Sequence, residues 1–256
     1  MQSDKFIQNK GNKRLLVLSG AGLSVESGIP PFRFDEGKWE NVKINDVCNI
    51  ASLHQKYHTI HAFYNTFRVE LKDKQPNAMH NFIVALERQY GDNFLHITSN
   101  IDDLTEKAGG NAMHLHGNLK EVIENFSLAE SDFTIVDCGY EPYIPRDGVL
   151  AKPNVVMLGE YYRYENGERK ELYSDRNKVL SSLTDDDTVI IIGSSDTILK
   201  WSDMVGLGTP AFTVNVNIRK NENDWKYNAK IYKAATKAIP EVEEIINQRM
   251  KGNANA

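Results

Sequence analysis

The sequence predicts an α/β fold in which a doubly wound, parallel, Rossmann-like sheet carries a small inserted subdomain. Short apolar runs alternate along the chain with segments of helical periodicity, which is the pattern of a parallel sheet covered by helices. Four candidate strands also end in small or polar residues, and ligands of such sheets bind at the carboxyl ends of the strands. These ends are Ser19-Gly20, Ser99-Asn100, Gly193-Ser194 and Asn215-Val216-Asn217.

The first strand and the turn after it have the layout of a dinucleotide site. The apolar run at 15–18 predicts a buried strand, and Gly20 and Gly22 let the backbone turn tightly and approach a ligand. A helix is expected from Leu23 onward, with its free N–H groups facing an anion. Val25 replaces the third glycine of the fingerprint G-x-G-x-x-G. A plain strand-turn-helix is therefore an equal alternative at this point.

Two helices are predicted next. Apolar residues recur at steps of three, four and seven over 50–71, which gives one helical face. Residues 75–77 break this pattern and cap a second helix, with Phe82, Ile83 and Leu86 facing inward.

The remaining elements follow in order. Strands are predicted at 94–98, 112–115, 154–158, 188–192 and 212–216, and the most β-branched of these, 188–192, should be central. Helices are predicted at 175–183 and at 229–250, the second interrupted near Pro240. Asp103 is expected to cap a short helix before Gly109.

The length bounds the domain organisation. A chain of 256 residues fits one large domain, or one domain with a subdomain. We expect a single domain over residues 1–256, with a helical insertion at approximately 35–75. Residues 119–152 show no clear helical period and are long enough to form the small subdomain.

Composition and charge exclude several classes of function. The net charge of −5 argues against nucleic acid as the main partner. No apolar run approaches the roughly 20 residues of a membrane span, and residues 1–12 lack the apolar core of a signal peptide. The two cysteines, Cys48 and Cys138, lie far apart, which fits a reducing cytoplasm and excludes a zinc site built from cysteine pairs.

Four sequence blocks stand out together. They are G-A-G-L-S-V-E-S-G-I-P-P-F-R at 20–33, T-S-N-I-D-D-L-T-E-K-A-G at 98–109, H-L-H-G-N at 114–118 and K-P-N-V-V-M-L-G-E at 152–160. These blocks resemble the sirtuin family of NAD-dependent protein deacylases. The blocks follow the family order over nearly the whole chain. Segments 37–39, 46–47, 63–64 and 75–78 resemble the bacterial and mitochondrial desuccinylase-like branch.

The resemblance implies roles for three catalytic residues. His116 would be the base that activates a ribose hydroxyl, and an imidazole suits this role because it titrates near neutral pH. Asn100 would hold the ribose and a water, and Asp102 would accept a bond from the nicotinamide carboxamide. We expect only one of His114 and His116 to point into the crevice, and the glycine that follows favours His116.

The resemblance also implies which residues surround the two substrates. Phe32 would shield the reacting ribose carbon, and Arg33 would contact the phosphates or orient the loop. The implied cofactor-binding set is Gly20, Ala21, Gly22, Ser24, Phe32, Arg33, Ser99, Asn100, Asp102, Gly193, Ser194, Ser195, Asn215 and Asn217. The implied substrate-binding set is Tyr64, Phe67, Val156, Met157, Leu158, Gly159 and Glu160, of which 156–159 would pair with the peptide as an added strand.

The first departure from the family concerns zinc. Most sirtuins hold a small module with four cysteines, whereas 119–152 contains only Cys138, so a tetrahedral thiolate site cannot form. We therefore predict a variant without zinc. Its subdomain should be held by apolar residues such as Val122, Ile123, Phe126, Phe133, Ile135, Val136 and Tyr140.

Three further departures affect ligand binding. Ser99 stands where the family has glutamine, and Pro31 replaces a polar residue in the cofactor loop. Tyr64 matches the tyrosine of the Tyr-x-x-Arg pair that binds acidic acyl groups, but Phe67 occupies the arginine position and Arg68 lies one residue further. We expect neutral acyl groups to be preferred, because a succinyl carboxylate would lack a partner. A core role for Phe67 is an equal alternative.

The expected function is that of a cytoplasmic NAD-dependent deacylase that acts on acylated lysine of a protein or peptide. Its products would be nicotinamide and O-acyl-ADP-ribose, and it would bind neither nucleic acid nor membrane. An NAD glycohydrolase or ADP-ribosyltransferase is one alternative, and a degenerate sensor of NAD or ADP-ribose is another. His116 and the substrate segment 155–160 favour the deacylase.

Overall fold

A computed structural model describes residues 2–31, 38–39, 42–126, 133–160, 168–197, 199–206 and 208–251. Its strands are β1 (Leu15–Ser19), β2 (Lys38–Trp39), β3 (Val42–Lys43), β4 (Phe94–Thr98), β5 (Met113–His114), β6 (Gly117–Glu124), β7 (Thr134–Asp137), β8 (Ala151–Val155), β9 (Thr188–Ile192), β10 (Phe212–Val216) and β11 (Ala229–Ile231). Its helices are α1 (Gln2–Gln8), α2 (Ile44–Val47), α3 (Tyr57–Leu71), α4 (Ala78–Tyr90), α5 (Leu104–Lys107), α6 (Glu168–Ser181), α7 (Trp201–Val205) and α8 (Ile239–Met250).

The main sheet is parallel, as the sequence predicts. In the described residues its strand order is β11-β10-β9-β1-β4-β5, and every neighbouring pair in it is parallel. Ser19 at the end of β1 lies in register with Thr98 of β4 and Ile192 of β9. The loops that follow these three strands therefore begin side by side at one edge.

Helices cover both faces of this sheet. On one face Met79 and Ile83 of α4 and Val242 of α8 pack against β1 and β9. On the other face Phe6 of α1 and Val179 of α6 pack against the alternate side chains of the same strands. Strands that are buried on both faces are mainly apolar along their whole length, which is why β1, β4 and β9 were recognisable in the sequence.

A buried ion pair fixes the start of the two central strands. Arg14 Nη2 lies 2.6 Å from Asp187 Oδ2, both side chains are fully buried, and the Arg14 guanidinium also donates to the carbonyls of Phe6 and Ser182. A buried pair is tolerated when further hydrogen bonds compensate for the lost hydration. The ion pair joins the starts of β1 and β9. It therefore helps to fix the relative position of the loops that follow the carboxyl ends of these strands.

The small subdomain is an antiparallel sheet with the order β7-β6-β8, whose strands lie between Gly117 and Val155. Val122, Ile123 and Phe126 are buried as predicted. Ile135 is 38% exposed, so its predicted core role is wrong: it lies on β7, a strand at the edge of the sheet. Phe133 and Tyr140 pack against an apolar cluster formed with α3.

The prediction for the segment after β1 is wrong. Two single 3₁₀ turns, Ala21–Leu23 and Val25–Ser27, occupy the place of the expected helix. Gly28 follows in the left-handed conformation, with φ of 78°, and Pro30 and Pro31 come next. A left-handed residue followed by prolines ends helical structure.

Two further elements differ from the sequence prediction. Residues 229–231 form β11, an edge strand beside β10, and Pro240 lies in the first turn of α8, where proline costs no helical hydrogen bond. The strand expected at 154–158 ends at Val155, because the N–H groups of Val156 and Leu158 donate to the carbonyls of His116 and Cys48 instead of continuing the sheet. No helix in the described part of the chain is long and apolar enough to cross a bilayer.

Candidate active site

A cleft of about 1300 Å³ lies at the carboxyl ends of the parallel strands. The turn after β1, the loop after β4 and the segment 155–159 line it. The loops after β9 and β10 complete the cleft. The predicted site residues that line it are Gly20, Ala21, Gly22, Ser24, Tyr64, Ser99, Asn100, Asp102, His116, Val156, Met157, Leu158, Gly159, Gly193, Ser194, Ser195 and Asn217.

Two glycine loops pack backbone against backbone at the floor of this cleft. Gly20 N–H donates to Ile192 O at 3.0 Å, and Gly22 N–H donates to Gly193 O at 2.8 Å. A Cβ atom on Gly22 would lie 2.6 Å from Gly193 Cα, and Gly193 has a φ of +65°. The glycine at position 22 is thus required by contact with Gly193, 171 residues later in the sequence.

Ser24, Asn100 and Asp102 form one buried hydrogen-bonded group. Ser24 Oγ donates to Asp102 Oδ2 at 2.9 Å and accepts from Asn100 Nδ2 at 3.1 Å. Burial raises the pKa of Asp102, and the bonds from Ser24 and Leu104 N–H oppose this effect. The group places an amide and a carboxylate at fixed positions beside the cleft.

Asp102 also caps α5, because its Oδ1 atom accepts from Leu104 N–H at 3.2 Å. The sequence prediction gave this role to Asp103, which stands at the N-cap position but makes no side-chain capping bond. Asp103 instead accepts a hydrogen bond from the Tyr140 hydroxyl. The prediction for Asp103 is therefore wrong, and Asp102 combines a capping role with its position in the cleft.

A second buried polar group, absent from the sequence prediction, lies beneath the first. Ser19 Oγ lies 2.8 Å from both His96 Nε2 and Thr98 Oγ1, and Thr98 Oγ1 accepts from Asn100 N–H at 3.0 Å. Burial lowers the pKa of His96 to about 3, so the ring is neutral. Polar residues at alternate positions of an apolar strand share one face, and that pattern at 96 and 98 was the available signal.

The two neighbouring histidines occupy different surroundings. His114 Nδ1 lies 2.8 Å from Asn100 O and its Nε2 lies 3.1 Å from Glu106 Oε1. Burial by itself would lower the pKa of His114, but the bond to Glu106 and its charge raise it overall. His116 follows in the turn between β5 and β6 and lines the cleft. Residues two apart on a continuous strand would share a face, so this turn is what separates the two rings.

The segment at 156–159 is held from two sides. Leu158 N–H donates to Cys48 O at 2.7 Å, and Ile50 N–H donates to Leu158 O at 3.0 Å. Glu160 is fully buried, lies 2.8 Å from Lys152 Nζ, and accepts from Met157 N–H at 2.8 Å. Glu160 therefore supports the segment from within rather than lining the cleft.

The wall near Tyr64 is neutral. Tyr64 is buried, and its hydroxyl donates to Cys48 Sγ at 3.6 Å. Burial raises the pKa of Cys48 to about 11 and that of Tyr64 well above its usual value. Phe67 is buried in the apolar cluster of α3 and is not among the described residues that line the cleft. Arg68 is buried as well and donates to Leu119 O at 2.9 Å.

The far end of the cleft holds the predicted adenosine-side residues. Ser194 and Ser195 line it, and Asn217 Nδ2 donates to Ser194 O at 2.7 Å. Asn215 is buried and donates to Asp224 Oδ1 at 2.7 Å, so it supports the loop after β10 from outside the lining. Phe32 and Arg33 lie outside the described residues.

The comparisons with known proteins agree on one family. The sequence profile of the Sir2 family matches residues 20–200. An NAD-dependent protein deacylase of Helicobacter hepaticus is 31% identical, over 92% of this chain and 98% of the relative. A protein of the same description from Escherichia coli K12 is 31% identical, over 99% of this chain and 89% of the relative.

Solved structures show the same fold. A Sir2 homologue in complex with ADP-ribose superimposes with a TM-score of 0.78 at 23% identity, covering 99% of this chain and 98% of the homologue. A Sir2 protein with a p53 peptide and NAD⁺ gives a TM-score of 0.71 at 21% identity, covering 94% of this chain and 95% of that protein.

Proposed function

The chain belongs to the Sir2 family, and from this membership we propose that it is an NAD-dependent protein-lysine deacylase. The observation that carries the proposal is a single cleft shared by Asn100, Asp102, His116 and the segment 156–159. The deacylase names of the relatives support it. A cytoplasmic location stays a prediction from the low number of cysteines.

The cleft fits a dinucleotide. Its volume of about 1300 Å³ exceeds that of most ligand pockets, and the loops of Gly20, Gly22 and Gly193 meet without side chains between them. The Ala21 N–H would hold the pyrophosphate, and Gly22, whose own N–H donates to Gly193 O, would let the backbone approach it closely. Ser194, Ser195 and Asn217 would hold the adenosine. When bound, NAD supplies the ribose that receives the acyl group, with nicotinamide as the leaving group.

The residues of the chain then divide the remaining tasks. Asn100 and Asp102, fixed by Ser24, orient the ribose and the carboxamide through hydrogen bonds. His116 takes up the proton of a ribose hydroxyl as general base. Ser99 replaces a longer glutamine side chain, so the orientation of the ribose depends more on Asn100.

The acylated peptide lies along 156–159. The N–H groups of Val156, Met157 and Leu158 already donate within the protein. An added strand is therefore expected to pair with Gly159 and with carbonyl oxygens of the segment. The proposed route places the acyl group beside Tyr64 and Cys48, the neutral part of the cleft lining.

The test is product identification after incubation with NAD, with and without an acetyl-lysine peptide. O-acetyl-ADP-ribose and nicotinamide that form only with the peptide support the proposal. Free ADP-ribose formed equally well without the peptide would identify a glycohydrolase. Binding of NAD without turnover under either condition would identify a sensor.

We predict that acetyl-lysine is a better substrate than succinyl-lysine. In the part of the chain that the structure describes, the cations that line the cleft are Lys200, Arg219, Lys220 and Lys233. They lie on the loops after β9, β10 and β11, whereas Tyr64 lies on α3. A succinyl carboxylate beside Tyr64 would be buried without a partner, so kcat/KM should fall by at least about tenfold. Peptides that differ only in the acyl group measure this ratio, and equal or faster turnover of the succinyl peptide would contradict the prediction.

We also predict that the protein contains no structural zinc. The chain has two cysteines, of which Cys48 is buried in the cleft wall and Cys138 lies in the subdomain, so no four-thiolate site can form. Dialysis against a chelator should leave the urea midpoint of unfolding unchanged. Elemental analysis that finds one zinc per chain would refute this prediction.

A further inference from the structure

We infer that Tyr140 and Asp103 are positioning residues that fasten the antiparallel subdomain to the loop carrying Asn100 and Asp102. The effect of the contact between Tyr140 and Asp103 on the reaction rests on the proposed function, whereas its effect on the loop does not.

The fastening is a compact cluster, here called the Asp103 cluster, of Asp103, Lys107, Lys120 and Tyr140. The Tyr140 hydroxyl donates to Asp103 Oδ2 at 2.6 Å, and Lys120 Nζ lies 3.1 Å from the same oxygen. Lys107 Nζ lies 3.8 Å from Asp103 Oδ1. The two ammonium groups lie 4.7 and 5.5 Å from the centre of the Tyr140 ring, within the range of cation–π attraction.

The cluster joins four separate parts of the chain. Tyr140 belongs to the subdomain segment after β7, Lys120 to β6, and Asp103 to the loop after β4. Lys107 also donates to the carbonyl of Leu71, the last residue of α3, and to that of Lys74 in the segment after it. The helix α3 carries Tyr64. Asp103 is only 4% exposed, so its charge depends on these partners.

The position of Asp103 makes the cluster relevant to the site. Asp103 directly follows Asp102, whose carboxylate bridges Ser24 and the start of α5. Without its partners, Asp103 no longer holds the backbone next to Asp102. The side chains of Asn100 and Asp102, which face the cleft, then become more mobile. Burial and the bond to Asp103 raise the pKa of Tyr140, so the phenol remains a donor throughout the physiological range.

Tyr143 provides a matched control. Its hydroxyl donates to Glu124 Oε1 at 2.8 Å, and Glu124 is 6% exposed. Tyr140→Phe and Tyr143→Phe therefore each remove one phenol donor from a buried carboxylate. Only Tyr140 reaches the loop after β4, because the Tyr143 and Glu124 side-chain bond lies within the subdomain.

Hydrogen exchange followed by mass spectrometry, which needs no turnover, tests the inference on the full chain. Loss of a hydrogen bond to a charged group should raise the exchange of amides 99–107 by about tenfold in Tyr140→Phe, with little change in Tyr143→Phe. The KM for NAD should rise in the first variant only. Asp103→Asn keeps an acceptor oxygen for Tyr140. Its exchange rate at amides 99–107 should therefore be closer to that of the unmodified protein than the rate of Asp103→Ala is.

Two outcomes would overturn the inference. One is equal exchange at 99–107 in both tyrosine variants, which would mean that any loss is a general loss of stability. The other is unchanged exchange in Tyr140→Phe. Exchange can change as expected while neither the unmodified protein nor any variant turns over an acyl peptide. In that case the positioning role stands and the proposed function fails.

Discussion

Replacing His116 with alanine is expected to lower kcat/KM for deacylation by a factor of about 10²–10⁴, the usual contribution of a general base. His116 lies in the turn between β5 and β6 and lines the same cleft as Asn100 and Asp102. Ser24, Asn100 and Asp102 are held by hydrogen bonds directly between their own side chains. NAD affinity should therefore change much less than turnover.

The matched control is His54→Ala. His54 is exposed in the segment before α3 and does not line the cleft, so its removal should leave both turnover and NAD binding unchanged. Steady-state kinetics with an acetyl peptide and calorimetry with NAD separate the two effects. Loss of NAD binding in parallel with turnover would assign His116 a binding role, and full activity of His116→Ala would exclude it as the base.

The fold was predictable where a strand is buried on both faces. Thr188–Ile192 is an uninterrupted apolar and β-branched run whose five residues are all buried, and all residues of β1 and β4 are buried as well. Ala229–Ile231 was missed because a strand of three residues at the sheet edge has too few side chains for a period. Its pairing with β10 is decided by tertiary contact rather than by its own sequence.

The site was predictable through its family motifs and less so from local patterns. The spacing of Gly20 and Gly22 by itself left a plain strand-turn-helix as an equal alternative. The capping role predicted for Asp103 belongs to its neighbour: Asp102 caps α5 and Asp103 binds Tyr140. A one-residue difference in backbone direction decides which side chain reaches Leu104 N–H. Sequence carries little information on that direction.

Some contacts in the site depend on register across the sheet. Ser19 and Thr98 are 79 residues apart, and only the pairing of β1 with β4 places their hydroxyls 2.8 Å from each other. The contact between Gly22 and Gly193 arises in the same way from the pairing of β1 with β9. Each glycine loop can be recognised in the sequence. The sequence does not show that the two backbones touch, so that neither Gly22 nor Gly193 can carry a side chain.

Because these two loops touch, we expect Gly193→Ala to lower both the stability of the protein and its affinity for NAD. The added Cβ would lie 2.5 Å from the backbone of Gly22 and Leu23, and the residue has a φ of +65°. Neither contact atom belongs to a flexible side chain, so the loops must move apart. The free energy of unfolding should fall by about 2–4 kcal/mol, and NAD affinity should fall with it, because displacement of the turn after β1 moves Ser24.

Gly148→Ala separates the steric effect from the conformational one. Gly148 has a similar φ of +75°, but a Cβ added there would meet no atom within 4 Å, so its substitution should cost only the left-handed strain of about 1–2 kcal/mol. Gly22→Ala gives the converse case, since its Cβ would meet Gly193 Cα at 2.6 Å and its φ is not in the left-handed region. Urea unfolding and NAD calorimetry on the three variants should therefore show weakened NAD binding for Gly193→Ala and Gly22→Ala alone. Equal losses of stability and unchanged NAD affinity in all three would mean that backbone strain, and not the contact between the loops, governs this part of the cleft.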